Sequence, residues 1–157
     1  WTPAKVKIAV SGCPRNCAEA SIKDLGIVGI KGSWEIYCGG NGGVKVKAAE
    51  LLCNVAEVDE VAEIVKAYLQ FYREDARYNE RTSVWIERIG LKRVKDMVVV
   101  DRNSRAALAQ RLDIHLDTLK GDPWNERIVA KETGMAGVAG DYLPINLQAE
   151  EVSYEVV

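Results

Sequence analysis

The chain has 157 residues, 48% hydrophobic and 28% charged, with a formal net charge of −2, the make-up of one globular domain with a buried core. That balance leaves no basic footprint for a nucleic acid or an anionic membrane surface. No apolar run reaches the roughly 20 residues that span a bilayer, and the opening Trp1-Thr2-Pro3-Ala4-Lys5 lacks the charged-then-apolar order of a secretory signal.

In chain order, the first expected strand is Lys5-Val6-Lys7-Ile8-Ala9-Val10, where apolar residues alternate with others. It begins so soon, and with no initiator methionine, that the chain is expected to be a fragment preceded by more polypeptide. Next comes "SGCPRNCAEASIKDLGIVG", Ser11 to Gly29. A helix is predicted from Pro14 to Asp24, with Pro14 in the first turn, where its missing amide hydrogen is not needed. Gly26 would stop that helix. Short β-branched or aromatic runs at Leu25 to Ile30, Trp34 to Cys38 and Val44 to Lys47, separated by glycines, predict strands. The run Gly39-Gly40-Asn41-Gly42-Gly43 reads first as a hairpin loop, for which Asn-Gly is a signal. Its amides can also converge on an anion, and the two readings are compatible.

Beyond Cys53 the texture becomes helical. From about Glu57 to Ala76, Val58, Val61, Ile64, Val65, Tyr68, Leu69 and Tyr72 recur at threes and fours, one face of an amphipathic helix. Glu57, Asp59, Glu60 and Glu63 crowd its start, where negative charge is favoured. Thr82 or Ser83 is expected to cap a shorter helix that turns Trp85, Ile86 and Ile89 inward and ends at Gly90. Leu91 to Val98 predicts another helix. Leu108, Leu112, Leu116 and Leu119 predict a further one behind Asp101-Arg102-Asn103-Ser104. Asp122-Pro123-Trp124 offers one more turn or two, and the sequence after Thr133 reads as an extended tail. The fold class expected is α+β: a small, mostly antiparallel sheet with packed helices, followed by a helical C-terminal part. The divisions fall at residues 1–53, 54–132 and 133–157.

Four cysteines without an export signal point to a reducing compartment, where thiols serve as ligands, nucleophiles or core residues; a cytoplasmic location is the expectation. Cys13 and Cys17 stand four apart, which on a helix places them on one side. A helix N-terminus beside them would stabilise the thiolates a metal requires. A C-x3-C pair is equally the mark of two small residues at a turn.

The surroundings of the pair go further. "SGCPRNCAEASIKDLGIVG", "WEIYCGGNGG" and "FYREDARYNERTSVWIERIGLKRVKD" resemble the siroheme-dependent nitrite and sulfite reductases, over roughly Lys5 to Asp96, and within them the large subunits of the NAD(P)H-dependent assimilatory nitrite reductases. In that family two cysteine pairs hold a 4Fe-4S cluster, and the last cysteine also bridges the cluster to siroheme. Gly12-Cys13-Pro14-Arg15-Asn16-Cys17 matches the downstream pair. The resemblance therefore implies metal ligation by Cys13 and Cys17, with Cys17 bridging. It also brings Asn16, Asn41 and, more weakly, Arg15 toward the siroheme. The upstream cysteine pair and the basic residues around the family's substrate are absent, and such a cluster takes four thiolates. The implied function is a fragment of a nitrite reductase that reduces nitrite to ammonium by six electrons, inactive alone. Its partners would be the upstream part of the same polypeptide and a small subunit, with FAD and NAD(P)H bound elsewhere in the intact enzyme. Two alternatives stand beside it: a sulfite reductase fragment, and a non-enzymatic α+β binding module whose cysteines are structural.

The remaining candidates read more plainly. Cys38 and Cys53 look like core residues rather than the missing ligands, and their spacing matches no zinc motif. Lys45 and Lys47 fit a solvated strand face. His115, the one histidine, fits a helix surface, and Trp1, Trp34, Trp85 and Trp124 fit core or interface anchors.

Overall fold

The computed structural model describes residues 1–118; Leu119, the turn expected at Asp122-Pro123-Trp124 and the tail 133–157 lie outside the described residues. Strands β1 (Ile8–Ser11), β2 (Leu25–Ile30) and β3 (Ser33–Cys38) are followed by the two-residue β4 (Asn41–Gly42) and β5 (Val46–Lys47), then β6 (Glu50–Val55). Helices α1 (Val58–Asp75), α2 (Thr82–Ile89), α3 (Leu91–Lys95) and α4 (Arg102–Asp117) complete the described part, with a π-helical turn at Asp96–Val100 between the last two. The main sheet has the order β1-β2-β3-β6. β1 runs parallel to β2, whereas β2 with β3 and β3 with β6 are antiparallel. The α+β class and the mostly antiparallel sheet are thus as expected.

β2 is buried along nearly its whole length, because it is the only strand of the parallel pair with neighbours on both sides. Leu25 and Ile27 join Ile36, Cys38, Leu52 and Val55 of the sheet in one core with Val61, Ile64, Tyr68 and Tyr72 of α1, Trp85 of α2 and Leu108 of α4. At its centre the Trp85 ring meets Tyr68, Phe71 and Tyr72 edge to face, with centroids 5.2–5.8 Å apart, a favourable arrangement of ring quadrupoles.

Most helix boundaries follow the sequence. α1 buries Val61, Ile64, Tyr68 and Tyr72 but leaves Val58 exposed. Asp101 caps α4 by accepting from the Asn103 and Ser104 amides, as a short acceptor before a helix does. The start of α2 differs from expectation. Arg81 holds the cap position, and the Thr82 hydroxyl donates to the buried Asp24 carboxylate instead. Asp24 is 1% exposed; its Oδ2 also accepts from the Lys7 amide at 2.9 Å, and Arg81 Nη2 donates to Oδ2 at 2.8 Å and to Oδ1 at 2.9 Å. One carboxylate thereby joins the segment before β1, the segment before β2 and the start of α2.

Candidate metal centre

Parallel neighbours require a crossover of about a dozen residues or more, usually helical. Here residues 12–24 form the crossover between β1 and β2, and they carry Cys13 and Cys17. The helix predicted from Pro14 to Asp24 does not form; its one helical piece is a 3-10 turn at Ala20–Ile22. Asn16 and Glu19 sit at φ 53° and 55°, left-handed backbone that a right-handed helix cannot pass through. Side chains also take the amide hydrogens a helix would bond internally. Ala18 N–H donates to Ser11 Oγ at 3.2 Å, and Ala20 N–H donates to Asn16 Oδ1 at 2.7 Å. Without a helix there is no helix dipole to act on the thiols. Gly26 is not a helix stop either, since it lies inside β2.

Two turns replace the helix. Asn16 N–H donates to Cys13 O at 3.1 Å, and Glu19 N–H donates to Asn16 O at 2.8 Å. Pro14 occupies the second position of the first turn, where its fixed φ is favoured. Chain reversal, not helical spacing, brings Cys13 and Cys17 onto one exposed loop. The loop rests directly on backbone. A β-carbon at Gly26 would lie 2.1 Å from Ala20 O, and one at Gly40 would lie 2.5 Å from Lys23 O; only glycine permits this approach.

The other sequence-predicted residues separate clearly. Asn16 turns its carboxamide inward, to Ser11, Ala20 and Ser21, while Arg15 is exposed. Asn41 opens the small β4–β5 hairpin; its Nδ2 donates to Lys45 O at 3.0 Å and its Oδ1 accepts from Gly43 N–H at 3.2 Å. The Gly39 and Gly40 amides donate to Asp24 O and Lys23 O. The amides of Gly39, Gly40 and Gly43 are therefore engaged within the fold. A hairpin forms here, but Asn41–Gly42 is its first strand, paired with Val46–Lys47, and the turn falls at residues 43–45 rather than on Asn-Gly. Lys47 pairs with Glu87 of α2 at 2.8 Å. His115 lies near the end of α4. Trp85 is the buried anchor expected, Trp34 is half-buried and Trp1 exposed; Trp124 lies outside the described residues.

Cys38 and Cys53 do not join the loop. Cys38 is fully buried in the core, and burial pushes its thiol up to about 12. Burial likewise pushes Cys53, on β6, up to about 11. Both effects oppose the thiolate that ligation needs. Among the described residues, no group of three or more His, Cys, Asp and Glu gathers to hold a metal ion. The donor set fits half of an iron-sulfur site: two soft sulfur ligands, exposed on a loop whose backbone is fixed from below. Sequence reasoning missed Ser11, Ser21 and the glycine contacts that fix it. The density of Ser and Asn around the cysteines, residues whose side chains bond back to their own chain, and of Gly, which admits close backbone approach, was the available signal.

Residues 1–105 match the family described as nitrite and sulphite reductase 4Fe-4S domain. Among curated proteins, the chain is 53% identical over 132 residues to an NAD(P)H nitrite reductase of Bacillus subtilis, a match covering 84% of this chain and 16% of that protein. It is 35% identical over 103 residues to the nitrite reductase (NADH) large subunit of Escherichia coli, covering 64% of this chain and 12% of that protein. It is 33% identical over 97 residues to an assimilatory-type sulfite reductase of Nitratidesulfovibrio vulgaris, covering 62% and 44%. The chain thus spans less than half the length of each of these relatives.

Proposed function

The chain belongs to the nitrite and sulphite reductase 4Fe-4S domain family, and from that membership we propose that it is the part of a larger nitrite reductase polypeptide that supplies Cys13 and Cys17 to a 4Fe-4S cluster. On the same reading Cys17 would also help to hold siroheme. The observation that carries this reading is the pair of exposed thiols on a crossover loop held in one shape, with the other two cysteines withdrawn into the sheet.

When bound, the cluster and siroheme would supply one-electron transfer and the iron at which nitrite is reduced to ammonium. What this chain does is place ligands. Cys13 and Cys17 contribute two sulfurs, and the remaining two come from outside these residues. The exposed Arg15 would offer its guanidinium to a carboxylate of the tetrapyrrole. Asn16 and Asn41, whose side chains are engaged within the loop and the hairpin, would serve that face through the backbone shape they impose. FAD and NAD(P)H sites, a small subunit and a cytoplasmic location complete the proposal. No helix among the described residues is long and apolar enough to cross a membrane. The chain by itself is expected to be inactive, having two thiolates where four are needed.

The test is Cys17→Ser in the full-length polypeptide produced with siroheme supply. The expected result is loss of the haem-type absorption and of nitrite turnover. Unchanged absorption and turnover would overturn the assignment and favour structural cysteines. A sulfite reductase is the second reading, favoured by the 33% identity to the assimilatory-type enzyme. Turnover of the full-length protein with each anion separates the two.

A further inference from the structure

Resting on the ligand reading above, we propose that Asn16 is the positioning residue of the half-site: its carboxamide, lying between the two cysteines, joins both ends of the loop and sets the relative placement of the two sulfurs. Oδ1 accepts from the Ser11 hydroxyl at 3.2 Å and from Ala20 N–H at 2.7 Å, while Nδ2 donates to Ser21 Oγ at 2.7 Å. Ser11 closes β1 and Ser21 sits in the 3-10 turn. The main chain of the same residue closes both turns, onto Cys13 O and from Glu19 N–H.

Three considerations make Asn16 the controlling group. First, residues 12–23 bury only one side chain, Ala20. With so little apolar burial, the shape depends on polar bonds. Second, a carboxamide offers an acceptor with two lone pairs together with donors. Both lone pairs are used here, by a side chain on one flank and an amide on the other. Third, the φ of 53° at Asn16 is one that asparagine and glycine adopt more readily than other residues. Groups that orient metal ligands without touching the metal alter affinity about 10- to 100-fold when removed, and Asn16 stands in that relation to Cys13 and Cys17.

The experiment uses the full-length polypeptide loaded with its cluster. Asn16→Gly keeps the left-handed backbone accessible and deletes the side-chain bonds. Ser21→Ala deletes one bond and leaves Asn16 in place. Asn16→Asp keeps the two acceptor contacts and lets the Ser21 hydroxyl donate in reverse. Two quantities are read: the rate of iron loss to a ferrous chelator and the electron paramagnetic resonance spectrum of the reduced cluster. Asn16→Gly is expected to lose iron about tenfold faster with a shifted spectrum, Ser21→Ala to move the same way by less, and Asn16→Asp to retain iron like the parent. Parent-like rate and spectrum in Asn16→Gly would overturn the inference, as would iron loss from Asn16→Asp as fast as from Asn16→Gly. Should Asn16→Gly fail to accumulate, Ser21→Ala decides by the same two readings. Cys17→Ser is run alongside. If it keeps its iron, the ligand reading itself fails; if it loses iron while Asn16→Gly stays parent-like, only the positioning role fails.

Discussion

The four cysteines divide by environment. Cys13 and Cys17 are exposed, whereas Cys38 is buried and Cys53 partly so, with burial raising both of the latter thiols. Because the thiolate is the reacting form, a disulfide reagent at neutral pH should modify two thiols of the folded chain quickly and all four after unfolding. Rapid modification of four in the folded state would contradict this placement. Glu80 presents a second residue-level consequence. Its carboxylate accepts a fork of two 2.8 Å bonds from Arg88 Nε and Nη2 and one of 2.8 Å from Arg77 N–H. The Arg88 guanidinium, helped by that amide, holds its pKa down to about 2. A carboxyl whose folded pKa is depressed favours the folded state fully above its ordinary range, and the contribution disappears as pH falls through the folded value. Stability should therefore decline between about pH 5 and pH 2, and Glu80→Gln should flatten that decline while lowering stability at neutral pH. Denaturant midpoints across this range would check it.

Elements with an uninterrupted period were legible, and those shaped by side-chain-to-backbone bonds were not. α1 announced itself because its apolar residues meet the core at helical spacing. The cysteine loop was misread as a helix because nothing about Glu19 signals left-handed backbone; that conformation follows from the bonds made by Ser11 and Asn16. β6 escaped because its buried residues, Leu52 and Val55, are three apart rather than two. The register slips there, Ile36 facing Cys53 while Tyr37 faces Leu51, and the bulge at Leu52 breaks the alternation that marks a strand. Of the candidate site, the pairing of Cys13 and Cys17 on one exposed segment was legible, but the Asp24 junction that fixes the loop's exit was not, since its partners Lys7, Arg81 and Thr82 are distant in sequence. Asp24→Ala would remove the carboxylate that accepts from the buried Thr82 hydroxyl and pairs with the Arg81 guanidinium. Breaking such a pair should cost about 3 kcal/mol, measurable as a lowered midpoint in chemical unfolding of the chain. A loss below a few tenths would show that the junction is dispensable.

At the scale of the whole molecule, β1 is an edge strand among the described residues, with Ile8 48% and Val10 57% exposed. Beside Val10 runs an apolar groove lined by Ile27, Trp34, Val58, Val61, Ala62 and Val65. An open strand edge next to apolar surface is a template for pairing. The isolated chain should self-associate at micromolar concentrations, and Val10→Lys should reduce that association; a monodisperse parent in light scattering would contradict the expectation. The same strand has a further implication through its partner. Surface loops ordinarily accept insertions and deletions, because only their ends are constrained. Residues 12–24 are no such loop, for they span the crossover that lets β1 lie parallel to β2. Excising even a few of them would tear the first strand away together with Cys13 and Cys17, so hereditary shortening is barred here by topology before chemistry has any say.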